Sequence, residues 1–193
     1  MTIQPITDSM DLFRHQRSVR AWSDRPVTED EVALVLQAAI HGPSGSNTQP
    51  WHFIVIRDQQ VKDDINEAYE EGLRDAYGDD VPARGADRQP MSAAPVLIVA
   101  CVDTPPSNRA GFQTGASIYP NVQNLMLAAR AIGLGTVLTT LHRRRKDRIH
   151  EILHIPEGIE SAAIIPLGWP HRDYKPNTRP PLEQFVMHDR WSD

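Results

Sequence analysis

The sequence predicts an α+β domain, with one central mixed sheet of at least four strands flanked by helices. Three observations carry this. Residues 95–102, PVLIVACV, are apolar at every position after the proline, the mark of a strand covered on both faces. Residues 28–40 combine a capping-box start, Thr28-Glu29-Asp30-Glu31, with Val32, Val35, Leu36, Ala39 and Ile40 at helical intervals. Helix-like and strand-like stretches then mix along the whole chain, with no internal repeat and no dividing linker, so all 193 residues read as a single domain.

Taken in order, a first helix is predicted over residues 9–16 and a second from Thr28 until Gly42-Pro43 stops it. Residues 53–56 are a short β-branched and aromatic run, hence a strand, with Trp51 packing at its start. Residues 61–74 form a more polar, more exposed helix, and 78–90 a loop or cover rich in Gly, Pro, Asp and Arg. After the apolar strand at 95–102, residues 119–132 make a long helix ended by Gly133-Leu134-Gly135. Residues 136–140 and 162–167 supply the remaining strands. The Pro-rich stretch 170–181 reads as an extended arm.

Lys and Arg number 20 against 25 Asp and Glu, a net charge of -5 that argues against a nucleic-acid or membrane-surface partner, since both call for a basic face. The single cysteine, Cys101, has no internal partner for a disulfide, which points to a reducing compartment. The first ten residues lack the pattern of a signal peptide, and no apolar run reaches the length of a spanning helix. The expected location is cytoplasmic.

Three segments stand out chemically. Arg17-Ser18-Val19-Arg20 places Ser18 and Arg20 on one side of an extended chain, with Arg17 free to reach the other way. Two guanidiniums and a hydroxyl suit a phosphate and a polar ring edge, or equally a surface salt-bridge cluster. Gly42-Pro43-Ser44-Gly45-Ser46-Asn47-Thr48-Gln49-Pro50-Trp51 lets backbone approach a ligand closely, though a plain connecting loop has the same composition. Near the C-terminus, PLGWP at 166–170 precedes an arm in which Arg179 sits among prolines that restrict the backbone.

In this order RSVR, PSGSNTQPWHFIV, GASIYPNVQNLMLAARAIGLG and PLGWP with its distal arginine resemble the nitroreductase family of FMN-dependent enzymes, from about Asp11 to Trp191. The resemblance implies a homodimer with FMN at the interface and both chains contributing to each of two sites. Arg17, Ser18 and Arg20 match positions that meet the FMN phosphate, ribityl chain and pyrimidine edge. Pro43, Ser44, Gly45 and Asn47 match the loop that reaches across from the partner subunit. Leu138, Thr139 and Thr140 match the strand end against the reactive face of the flavin, where a backbone N–H, that of Thr140 foremost, approaches N5. Arg179 matches a phosphate-binding cation on the C-terminal arm.

The resemblance also implies NAD(P)H as reductant, a small organic acceptor such as a nitroaromatic or quinone, and a ping-pong cycle with no obligatory side-chain acid or base. It implies an arm, about 170–193, whose residues 182–187 add a strand to the partner's sheet edge. The chain departs from the family at Thr140-Leu141, where an acidic residue followed by glycine is common. A lysine or asparagine contact expected before the second strand has no evident counterpart, although Arg84, Arg88 and Gln89 lie nearby. The short stretch between Val102 and Gly115 implies a small lid.

Other signals compete. A flavin protein that stores or senses FMN without turnover would carry the same residues. Flavin dehalogenation or oxygen chemistry is a further branch, served in the family by longer covers. His150-Glu151-Ile152-Leu153-His154 is a literal HExxH, the zinc-hydrolase pattern, but Ile155-Pro156-Glu157-Gly158 ends the helix at once and no third ligand follows. Arg143-Arg144-Arg145-Lys146 reads as a solvated face, or as an attractor for nicotinamide phosphates. Gly133-Leu134-Gly135 follows a helix, where a dinucleotide fingerprint must precede one.

Overall fold

A computed structural model describes residues 5–6, 8–78, 87–104 and 112–191. Four strands, β1 (Trp51–Ile56), β2 (Val96–Asp103), β3 (Gly135–Thr136) and β4 (Ile159–Gly168), form one sheet in the order β1-β2-β4-β3. Every strand pair is antiparallel. The parallel component expected of a mixed sheet is confined to the isolated bridge between Ser18 and Thr136. Helices α1 (Ser9–His15), α2 (Glu29–Ala39), α3 (Gln59–Tyr77), α4 (Phe112–Ala131) and α5 (Lys146–Leu153) complete the frame.

The apolar β2 sits in the middle because both its faces are covered. Val96, Ile98, Ala100 and Val102 join a core with α2 and α4 residues, among them Val35, Ile118 and Leu125. Leu97, Val99 and Cys101 join a second core with Ile65 and Tyr69 of α3 and Ile149 of α5. The alternation of side chains along a strand makes this two-sided burial possible, and each fully buried Val, Ile or Leu contributes about 1.5–3 kcal/mol. Burial also pushes the Cys101 thiol up to about 11, so it stays protonated and inert.

The capping box at Thr28 is formed in both directions: Glu31 N–H donates to the Thr28 hydroxyl, and Thr28 N–H to the Glu31 carboxylate. Two elements differ from expectation. α4 begins at Phe112 and carries Pro120 inside it, because the ring takes a helical φ and sacrifices one hydrogen bond where packing compensates. The strand expected over 136–140 stops at Thr136; Val137 and Leu138 leave the ladder, and Thr139 rejoins it by bridging Ile164. That break puts residues 137–140 at the edge of the candidate site.

Glycines mark two close approaches. Gly133, at φ 95°, ends α4 in the left-handed region. A Cβ on Gly135 would lie 2.8 Å from both Val19 and Pro170 side chains, so only glycine lets the RSVR segment and the start of the arm close over the sheet there. Residues 79–86, within the expected cover, and 105–111, within the expected lid, lie outside the described residues. No helix among the described residues is long and apolar enough to cross a membrane.

Candidate active site

The RSVR segment runs along the outer edge of β3. Val19 N–H donates to Thr136 O at 2.9 Å, and the Val19 side chain is buried in the second core. Ser18 and Arg20 then face outward, as the alternation requires. Arg17, offset from them by one residue, also borders a cleft on the Val19 side with Arg130 and Tyr174. Its guanidinium lies over the Tyr174 ring, 5.4 Å from the centroid, and donates to Lys175 O at 2.9 Å. The arm therefore holds Arg17 where it borders both that cleft and the pocket of Ser18 and Arg20.

The result is an open pocket of about 730 Å³ in which Arg17, Ser18 and Arg20 from one end of the chain meet Arg179 from the other. Gln123 and Met126 of α4 form its floor. Arg179 donates one N–H to Thr178 O at 2.8 Å. A guanidinium has five N–H donors in a planar fork, so both arginines keep donors for a phosphate after these backbone contacts.

Arg20 also lines a narrow cleft of about 40 Å³ with Leu138 and Thr139, beside Tyr69, Arg88 and Gln89. Gln89 holds this corner. Its side-chain oxygen accepts Trp22 N–H at 2.8 Å, its Nε2 donates to Trp22 O at 3.3 Å, and its own N–H donates to Arg20 O at 2.9 Å. The sequence offered no sign that this amide would grip the backbone beside Arg20. Thr139 N–H is spent on Ile164 O at 3.0 Å. Thr140 is exposed and leads into the 3₁₀ turn Leu141–Arg145.

Pro43, Ser44, Gly45 and Asn47 are not brought to the arginine pocket. Their loop leans on the first half of α4 instead, with Gly45 N–H donating to the Ser117 hydroxyl at 3.2 Å. Ser46, Asn47 and Gln49 all adopt positive φ, at 52°, 56° and 51°. Left-handed backbone at non-glycine residues is costly and is characteristic of functional loops. Trp51 packs against the first core.

Behind residues 139–140 lies a buried polar knot. His142 Nε2 is 3.3 Å from Ser161 O and 3.2 Å from Ser161 Oγ. The tautomer protonated on Nε2 donates to that carbonyl, which can only accept. Ser161 in turn donates its N–H to His150 Nε2 at 3.3 Å, with Oγ 3.2 Å from the same nitrogen. That nitrogen is thus engaged by serine. His154, the other histidine of HExxH, is the exposed left-handed cap at φ 51° beyond the end of α5, off the helical face that zinc ligation needs.

Burial pushes His142 down to about 4. Its folded value lies below the unfolded one near 6.5, so the stability it contributes is complete above about pH 6.5 and is lost as pH falls toward 4, about 3 kcal/mol over that window. Urea unfolding at pH 7 and pH 5 should show a larger loss for the wild type than for His142→Gln. Equal losses would count against this assignment.

The basic run 143–146 is solvated in its first half, where Arg143 and Arg144 are exposed, and paired in its second. Arg145 pairs with Glu71 at 3.2 Å and with Asp75, while Lys146 pairs with Glu160 at 2.8 Å. Arg148 adds Glu71 at 2.6 Å, holding Glu71 below the usual carboxylate range. The acidic face of α3, unremarked in the sequence, supplies two of the carboxylates.

The profile of the Nitroreductase family matches residues 13–169. A Methanothermobacter thermautotrophicus protein provisionally named NADH dehydrogenase/NAD(P)H nitroreductase is 30% identical over 95% of this chain and 88% of its own length. A Thermus thermophilus NADH dehydrogenase is 29% identical over 95% of this chain and 97% of its own. The crystal structure of an iodotyrosine deiodinase bound to FMN and 3-iodo-L-tyrosine shares the fold, with a TM-score of 0.77 at 23% identity, covering 94% of this chain and 99% of that one. The matched region holds the RSVR segment, the left-handed loop and the broken strand, and the chain belongs to the nitroreductase family and with it to the oxidoreductases.

Proposed function

We propose that the chain is a homodimeric, FMN-dependent oxidoreductase that passes two electrons from NAD(P)H to a small organic acceptor such as a nitroaromatic or a quinone. The observation that carries this is the convergence of Arg17, Ser18 and Arg179 on one open pocket, with Arg20 lining both that pocket and the cleft at Leu138 and Thr139. Two guanidiniums and a hydroxyl fit a phosphate, and an arginine beside a narrow cleft fits the polar edge of a flavin ring.

FMN, when bound, supplies the two-electron chemistry. Arg17 and Arg179 hold its phosphate, with Ser18 donating a hydrogen bond. Arg20 would meet the polar edge of the ring, where its charge would favour the reduced form of the flavin. The Thr140 N–H, which makes no hydrogen bond among the described residues, is the donor available near N5. Reductant and acceptor use the same space in turn, so the cycle is ping-pong and no side-chain acid or base is needed.

The dimer is the second part of the proposal. The outer edge of β3 is already occupied by Ser18 and Val19, whereas β1 pairs on one side only among the described residues. The arm carries Leu182, Phe185, Val186 and Met187, all exposed in the single chain. Laid along β1 of the partner, they would cover both its unpaired edge and their own apolar surface. The same association would carry the loop at 43–47 to the partner's flavin.

An absorbance spectrum of the purified protein, followed by anaerobic NADH and then NADPH, tests this directly. Flavin bands that bleach with one nicotinamide and return with a quinone or nitroaromatic are expected. Bands that no nicotinamide bleaches would favour a flavin store. Colourless protein that takes up no added FMN would overturn the proposal.

A further inference from the structure

The end of α1 faces the pocket that holds Arg17, Ser18 and Arg179, since Phe13 and Gln16 line it as well. The last carbonyls of a helix have no partner within it and carry partial negative charge, the wrong sign beside an anion. One arm residue answers this. Asn177 donates Nδ2 to Phe13 O at 3.0 Å and to Gln16 O at 2.9 Å, and its backbone N–H to Arg14 O at 2.7 Å. Both protons of its amide are spent on α1, which leaves none for a ligand.

Arg179 follows two residues later, and Pro176 and Pro180 restrict the backbone on either side. With Asn177 fixed to α1, the short stiff link leaves Arg179 little freedom but to face Arg17. Upstream, the same strap is held by Arg172 on Asp87 at 2.8 Å and by Tyr174 between Arg17 and Arg172. These contacts set its path, but Asn177 is the anchor nearest Arg179.

We propose that Asn177 is the positioning residue of the phosphate site: it caps α1 and thereby sets Arg179 opposite Arg17. The proposal rests on the FMN reading above. Asn177 acts through Arg179 and does not itself touch the phosphate.

The test is titration of the apoprotein with FMN and with riboflavin, which lacks the phosphate, following flavin fluorescence. Asn177→Ala is expected to weaken FMN about tenfold to thirtyfold, as two lost hydrogen bonds imply, and to leave riboflavin within about twofold. Asn177→Asp, which keeps the size but removes the donors, should weaken FMN at least as much. In an Arg179→Ala background the further loss from Asn177→Ala should fall well short of its loss alone. Retained riboflavin binding shows that the variants fold. Equal losses for both flavins, no loss for FMN, or losses that multiply fully in the double variant would overturn the proposal. A wild-type chain that binds neither flavin would instead overturn the FMN reading.

Discussion

A chain ending at Trp169 is expected to be colourless, and monomeric or insoluble. The cut removes the bridge between Trp22 and Pro170, the His171 N–H donated to Ala21 O at 3.3 Å, and the pairing of Arg172 with Asp87. It takes Tyr174 from beneath Arg17 and removes Arg179 altogether. It also removes Leu182, Phe185 and Trp191, which are 69%, 62% and 81% exposed in the single chain. Burying each such side chain on a partner would contribute about 1.5–3 kcal/mol, a sum comparable to the whole stability of a domain. Light scattering on a sizing column and the flavin spectrum read both effects. A soluble yellow dimer from the shortened chain would sink the swapped-arm assembly.

Arg17→Ala should lower FMN affinity about 100-fold. A charge-assisted hydrogen bond contributes about 1.5–3 kcal/mol, and Arg17 offers a fork of them. The side chain also braces the arm through Tyr174 and Lys175 O, so its loss loosens Arg179. Arg17→Lys should recover only part of the affinity, because an ammonium cannot hold phosphate and backbone together in one plane. Fluorescence titration of the apoprotein measures this. Unchanged affinity would move the phosphate elsewhere.

Local chemistry was the legible part of the fold. The capping box at Thr28 and the run PVLIVACV each state their structure through interactions a few residues long. The meeting of Arg17, Ser18, Arg20 and Arg179 was legible only through the family pattern, since nothing local in an arginine among prolines says what lies opposite. The partners Arg17 takes were illegible because Tyr174 and Lys175 lie more than 150 residues away in the chain. The roles of Gln89 and Asn177 were illegible for the same reason: their amides' partners are backbone groups, which every residue offers. The pairing of Arg145 and Arg148 with α3 depends on how two elements dock, which no periodicity encodes.

The loop at 45–49 has a consequence for how this protein can change. Ser46 and Gln49 stand in left-handed backbone that costs an L side chain about 1–2 kcal/mol each, while Asn47 tolerates it better. Glycine at either position would relieve that cost at once in the folded chain, and would return part of it as extra freedom in the unfolded one. It would also slacken the shape presented to whatever the loop meets. Selection for thermal robustness and selection for contact therefore pull on the same few residues in opposite directions, and this loop is where a hardened variant would first lose its grip.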